Sequence, residues 1–154
     1  MRPFSYPIVA FIVTLISCHA IAGDADDAKK LQGAWEIVEL IAYGKKVDFD
    51  TIKGAKFIFA GNKLTLQMPA KARLEELVPA TYSFKLDPKK NPAEVDLTVL
   101  DGNHKGVTSP GIYELKDGTL RWCQSDAPKA SERPKVFTSP EKSSIYLFTF
   151  RRTK

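Results

Sequence analysis

Leu31-Gln32-Gly33-Ala34-Trp35 is the stretch on which the reading of this chain turns. It follows a polar segment, residues 23–30 (GDADDAKK), and opens a run of β-branched and aromatic residues, 34–43, that Gly44 closes. A run of that kind bounded by turn residues predicts a strand. From there to Arg151-Arg152 the apolar segments are short and mostly alternate with polar residues. Successive side chains of a strand point to opposite faces, so each alternating set shares one side. Phe57 and Phe59, then Leu64, Leu66 and Met68, then Tyr82, Phe84 and Leu86, then Val95, Leu97 and Val99 are predicted to face a common interior. Gly111, Tyr113 and Leu115 continue the pattern. Leu120 and Trp122 share a face opposite Arg121 and Cys123, and residues 145–150 form a last strand that is apolar on both faces.

Working outward, the turns fit between these strands. Gly61-Asn62 and Asp117-Gly118 suit tight hairpins, and residues 47–54, with Asp48 as N-cap, suit one helical turn after the first strand. Eight consecutive strands with no helix long enough for a parallel crossover predict an all-β fold, an antiparallel up-and-down meander. Eight strands suffice for closure into a barrel, which removes both sheet edges; a two-sheet sandwich is the alternative. Connections alternate between the two ends of such a barrel. The short ones are 61–62, 87–93 and 116–118, and the long ones are 44–55, 69–80, 101–110 and 124–144. A mouth ringed by long loops, opposite a closed base, is therefore expected, and long loops on a rigid scaffold are where function usually sits. Residues 69–78 read either as a short helical lid with Leu74, Leu77 and Val78 toward the mouth or as an extended hairpin arm.

The chain from Leu31 onward resembles the lipocalin-like domain of unknown function found in secreted planctomycetal proteins. The resemblance rests on LQGAW, on the Lys-Gly-x-Lys-Phe-x-Phe step at 53–59, on GNKLTL at 61–66, on YSFKLDPKKNP, EVDLT, KG...GIYEL and LRWC. It implies a lipocalin-like barrel over 31–154 whose Gly33 and Trp35 lie at the closed end beneath an arginine from the last strand; of the two arginines there, Arg152 is expected over the ring and not Arg151. It implies no settled activity.

Residues 1–22 read as a signal peptide: Arg2 precedes an apolar run too short to span a bilayer, and Ala20-Ile21-Ala22 is a small-x-small cleavage site. Leu15-Ile16-Ser17-Cys18 supports the competing reading, a lipoprotein anchored through Cys18. Either way the chain is expected to be exported, periplasmic or extracellular, with no membrane span after processing. Residues 23–30 are then a flexible lead-in or a single helical turn.

The apolar fraction, 44%, and the charged fraction, 27%, are those of an ordinary globular domain. Removing Arg2 from 23 basic residues leaves 22 against 18 acidic ones, a net charge near +4. The basic pairs Lys45-Lys46, Lys89-Lys90 and Arg151-Arg152 are dispersed in sequence, which argues for solvated turns over a nucleic-acid surface. Once Cys18 is removed or lipidated, Cys123 has no intramolecular disulfide partner, and His104 is the only histidine after ordinary cleavage. A zinc site of several His and Cys side chains therefore cannot be assembled, and no metal or cofactor is expected.

Candidate chemistry is sparse. Cys123 and His104 lack any motif that would hold a thiol at a helix N-terminus, so the chain is read as a non-enzyme. Glu39 shares parity with Trp35, Ile37 and Ile41 and would point inward, unless the strand bulges or Val38 and Leu40 face in instead. Glu39, Tyr82, Tyr113, Trp122 and His104 are the expected ligand-binding residues of a monomeric module holding a small, mostly apolar molecule in the barrel mouth. The alternative is a ligand-free interaction domain that docks an envelope protein.

Overall fold

Every long strand of the sheet has a neighbour on both sides, because the first pairs with the last. The computed structural model describes residues 22–69, 81–126 and 132–154. Its order is α1 (Ala22–Leu31), β1 (Gly33–Ala42), β2 (Lys45–Lys46), α2 (Phe49–Ile52), β3 (Lys56–Ala60), β4 (Lys63–Gln67), β5 (Thr81–Asp87), β6 (Ala93–Val99), a 3-10 turn (Gly102–His104), β7 (Thr108–Lys116), β8 (Thr119–Ser125) and β9 (Ile145–Arg152). All pairings are antiparallel, β1 lies beside β3, the strands from β3 to β9 each lie beside the next, and the β1–β9 ladder closes an eight-stranded barrel. The two-residue β2 folds back on the end of β1 as a ninth, accessory strand. Closure, rather than a sandwich, leaves no long edge to pair with another chain.

The alternating residues point where period two puts them. Phe57, Phe59, Leu64, Leu66, Phe84, Leu86, Val95 and Leu97 are buried in one interior cluster with Trp35, Trp122, Phe148 and Phe150. Rings fill the lower barrel: Phe57 lies 4.6 Å from Phe150, 5.4 Å from Phe148 and 6.3 Å from Trp122, centroid to centroid. The short helix after the first strand forms as the sequence suggests, with Asp48 Oδ1 accepting from the Asp50 amide at 3.0 Å; an N-cap oxygen satisfies an amide that has no helical partner.

Strand β1 changes parity part-way. Its pairing with β9 shifts between Ile37 and Glu39, a bulge that lets one extra residue sit opposite its partner. Ile37 and Leu40 are both buried while Val38, Glu39 and Ile41 are not. Glu39 therefore lies on the outer wall, where its Oε1 is 2.6 Å from Lys46 Nζ; the inward alternative drawn from simple parity does not occur.

Residues 23–30 belong to α1, a helix of 10 residues rather than a single turn or an irregular lead-in. It lies across the closed end: Leu31 is fully buried, its carbonyl accepts from Trp35 Nε1 at 2.7 Å, and Asp27 Oδ2 accepts from the Tyr113 hydroxyl at 2.8 Å. Gln32 fastens the helix end to the β3–β4 turn, donating to the carbonyls of Ala28 and Gly61 and accepting from the Gly61 amide.

The connection from β8 to β9 also differs from its expected place among the mouth loops. It leaves and rejoins the barrel at the mouth end, but residues 132–144 form a strap on the outer wall. Phe137 packs there over a second apolar cluster, Ile112, Cys123 and Leu147. That cluster explains why β9 is apolar on both faces. Residues 70–80, which include most of the expected lid, lie outside the described residues, as do residues 1–21 with Cys18.

Candidate functional site

At the closed end Trp35 is buried and Arg152 lies over it, the guanidinium carbon 4.5 Å from the ring centroid. Arg152 donates to the carbonyl of Gln32 at 2.7 Å and also to that of Lys30. Gly33 makes the crossing possible. Its φ is +102°, and a Cβ there would stand 3.4 Å from the arginine terminus. This end is a plug rather than a ligand site: an indole, a cation and two helix-end carbonyls satisfy one another.

Above the plug Trp122 is fully buried, and its Nε1 donates to Gln124 Oε1 at 2.9 Å. Gln124 Nε2 in turn donates to the Ser109 carbonyl at 2.8 Å and to its hydroxyl at 2.9 Å. A buried amide left unpaired would cost about 1–3 kcal/mol, and this one is paired at both ends. The network explains Gly111, whose absent Cβ would lie 2.5 Å from Gln124 Oε1 and 2.8 Å from the Cys123 carbonyl. Sequence reading overlooked Gln124 and Ser109. The signal was there in part, since Gln124 has the parity of Leu120 and Trp122 and Ser109 that of Gly111 and Tyr113.

Toward the mouth the inner wall becomes polar-tipped. Tyr43 and Tyr146 share a hydroxyl hydrogen bond of 2.8 Å, their rings set edge to face. Tyr82 is half-buried on the inner face of β5 and packs against the core. Burial, with the carboxylates of Asp101 and Asp126 nearby, raises its phenol pKa above the usual value; the neutral hydroxyl is the resident form.

The five residues expected to bind ligand are thus not gathered in one place. Tyr82 is near the mouth, and His104 is exposed on the 3-10 turn of a mouth loop. Trp122 is the floor beneath them. Tyr113 shares the interior with Trp122, their centroids 6.1 Å apart, but its hydroxyl reaches down to Asp27 under α1. Glu39 is outside the barrel. A recess of about 330 Å³ opens at the closed end, between Asp27 of α1, Pro92, Ala93, Tyr113, Leu115 and Phe137.

Cys123 is on the outer face of β8 under the strap, its Sγ 3.4 Å from the Thr138 carbonyl that accepts from it. Burial pushes its thiol up to about 11, against the smaller opposing effects of the Thr138 contact and Arg121. A catalytic cysteine needs its thiolate stabilised, and this environment does the reverse. Among the described residues no group of three or more His, Cys, Asp or Glu side chains is placed to hold a metal ion, and no helix is long and apolar enough to cross a membrane.

In comparisons with known proteins no family model matches the chain, and neither a curated protein nor a solved structure does.

Proposed function

We propose that this protein is an exported, monomeric lipocalin-like module, akin to the planctomycetal domain its motifs resemble, that holds a small, mostly apolar molecule in the upper third of its barrel. The observation that carries this reading is the layering of the interior. Packed rings fill the lower barrel, a closed hydrogen-bond network of Trp122, Gln124 and Ser109 forms a floor, and Tyr82 stands half-buried on the wall above it. Such an arrangement offers apolar walls with a few fixed polar groups, which is how small-molecule sites are usually built. The likeness of the fold to ligand-holding barrels supports the same reading, and the layering limits the ligand to a shallow site. Glu39 has no part in it.

The second reading, a ligand-free domain that docks an envelope protein, is favoured by the completeness of the lower core. One experiment divides the two. Purification from the native host followed by native mass spectrometry reads the mature N-terminus and any co-purifying molecule together. Binding of N-phenyl-1-naphthylamine to the emptied protein, lost in Tyr82→Ala without loss of fold, is the result expected of the mouth site. Probe binding that Tyr82→Ala leaves unchanged, or a protein that neither carries nor takes up an apolar molecule, supports the interaction domain instead.

A further inference from the structure

We propose that the closed end of the barrel is a docking face for an anionic lipid surface, an inference that goes beyond the reading of the mouth and does not depend on it. The sheet topology brings lysines from separate parts of the sequence to one end. Lys29 lies on α1, Lys63 begins β4, Lys89 and Lys90 occupy the β5–β6 turn, and Lys116 ends β7; all five are exposed. Three of the described acids at this end are held by neighbouring groups. Asp26 is 2.5 Å from Lys30, Asp27 accepts from Tyr113, and Asp87 accepts from the Lys89 amide in its own turn at 3.2 Å. Asp117 and Glu114 are exposed, Glu114 with its Oε2 3.6 Å from Arg121 Nη1.

Among the described residues the mouth end has no such bias. There Lys45, Lys53 and Lys105 are interspersed with Asp48, Asp50 and Asp101, all exposed, and Lys46 is paired with Glu39. Among the described residues the excess of lysine over acid therefore lies toward one pole.

A second observation points the same pole toward a membrane. The N-terminal apolar segment joins the described structure through α1, at the closed end, and only His19, Ala20 and Ile21 separate Cys18 from Ala22. A lipid on Cys18 would be joined to the barrel through α1, the helix that lies across this pole. A lipid anchor and a polybasic patch reinforce one another in membrane attachment, and the patch by itself gives reversible binding after ordinary cleavage. The recess between α1 and β7 is not where a phosphate would settle, since Asp27 and Glu114 are on its wall. The lysines act as a surface, attracting headgroups within a Debye length of about 10 Å at 0.1 M salt.

The test uses the chain beginning at Gly23, which carries no lipid, in co-sedimentation with vesicles of phosphatidylcholine alone and of phosphatidylcholine mixed with phosphatidylglycerol. Binding is expected only to the anionic vesicles and should fall as salt is raised. Each lysine near such a surface strengthens binding by about fivefold, so Lys89→Gln, Lys90→Gln and Lys116→Gln together should weaken it by about a hundredfold. Lys45→Gln with Lys53→Gln, at the mouth, should change it by less than about twofold. If the triple variant melts early, Lys29→Gln with Lys63→Gln reads the same face through other elements. Absence of binding, equal binding to neutral vesicles, an equal loss in the mouth variant, or tighter binding of duplex DNA than of anionic vesicles at the same salt would each overturn the proposal.

Discussion

Single residues carry the contrast between the two ends of the barrel. Trp35 is held by apolar contacts, by its hydrogen bond to Leu31 and by the Arg152 guanidinium. Trp35→Ala should therefore cost about 3–5 kcal/mol, whereas Arg152→Ala removes a cation–π contact worth about 0.5–2 kcal/mol and exposed hydrogen bonds. Chemical denaturation of the two variants checks the order; a Trp35→Ala protein that unfolds like wild type would mean that the closed end is not anchored through Trp35. Gly111→Ala should cost about 1–3 kcal/mol through overpacking against Gln124 and the neighbouring strand. Gln124→Leu in the same chain should not restore it, because the Cys123 carbonyl still stands in the way.

Cys123 gives a pH prediction. Its pKa is higher in the fold than the ordinary 9.0, so the folded protein holds the thiol proton more tightly than the unfolded chain does. The stability this contributes is fully present below pH 9 and is lost as pH rises toward about 11. The difference in denaturant midpoint between wild type and Cys123→Ala should shrink over that window. A difference independent of pH would mean that the thiol is not shielded by the strap.

At the scale of elements, α1 and the strap are both additions to a barrel that is already closed. The strap is fixed through side chains. Arg133 donates to the carbonyls of Val95 at 2.9 Å and Gly111 at 2.7 Å and to Asp96 at 2.6 Å, with Glu94 at 3.3 Å, and Arg121 lies over the Phe137 ring. Phe137→Ala should uncover Ile112 and Leu147 and cost about 2–4 kcal/mol, somewhat less than a fully buried ring. Hydrogen exchange should then rise in β8 and β9 before it rises in β3 and β4. For α1, Tyr113→Phe deletes the bond to Asp27 and should cost about 0.5–1.5 kcal/mol, with faster exchange confined to the helix.

For the molecule as a whole, closure separates the two tryptophans into two reporters. Trp35 lies under α1 and Arg152, and Trp122 is in the floor below the mouth. A ligand in the upper barrel should therefore change the fluorescence of Trp122 and leave that of Trp35, which is tested by repeating the titration in Trp122→Phe. A signal that survives this substitution would place the bound molecule at the closed end, beside the recess, instead of in the mouth.

Strand positions, turns, the inward sets and the capped turn at Asp48 were legible in the sequence because each depends on a few adjacent residues: alternation is local to a pleated strand, and turn chemistry is local to its dipeptide. The need for closure was legible too, since eight short strands without crossovers leave two edges unless the first meets the last. The tertiary structure alone decided where register breaks. The bulge in β1 is set by its pairing with β9, more than a hundred residues away in the chain, and it alone moves Glu39 from the inner to the outer face. It likewise decided that the 132–144 connection turns down over Cys123, because an irregular segment has no period and follows whatever apolar surface is left uncovered. And it decided that lysines scattered along the sequence meet at one pole, because an up-and-down barrel returns every second turn to the same end.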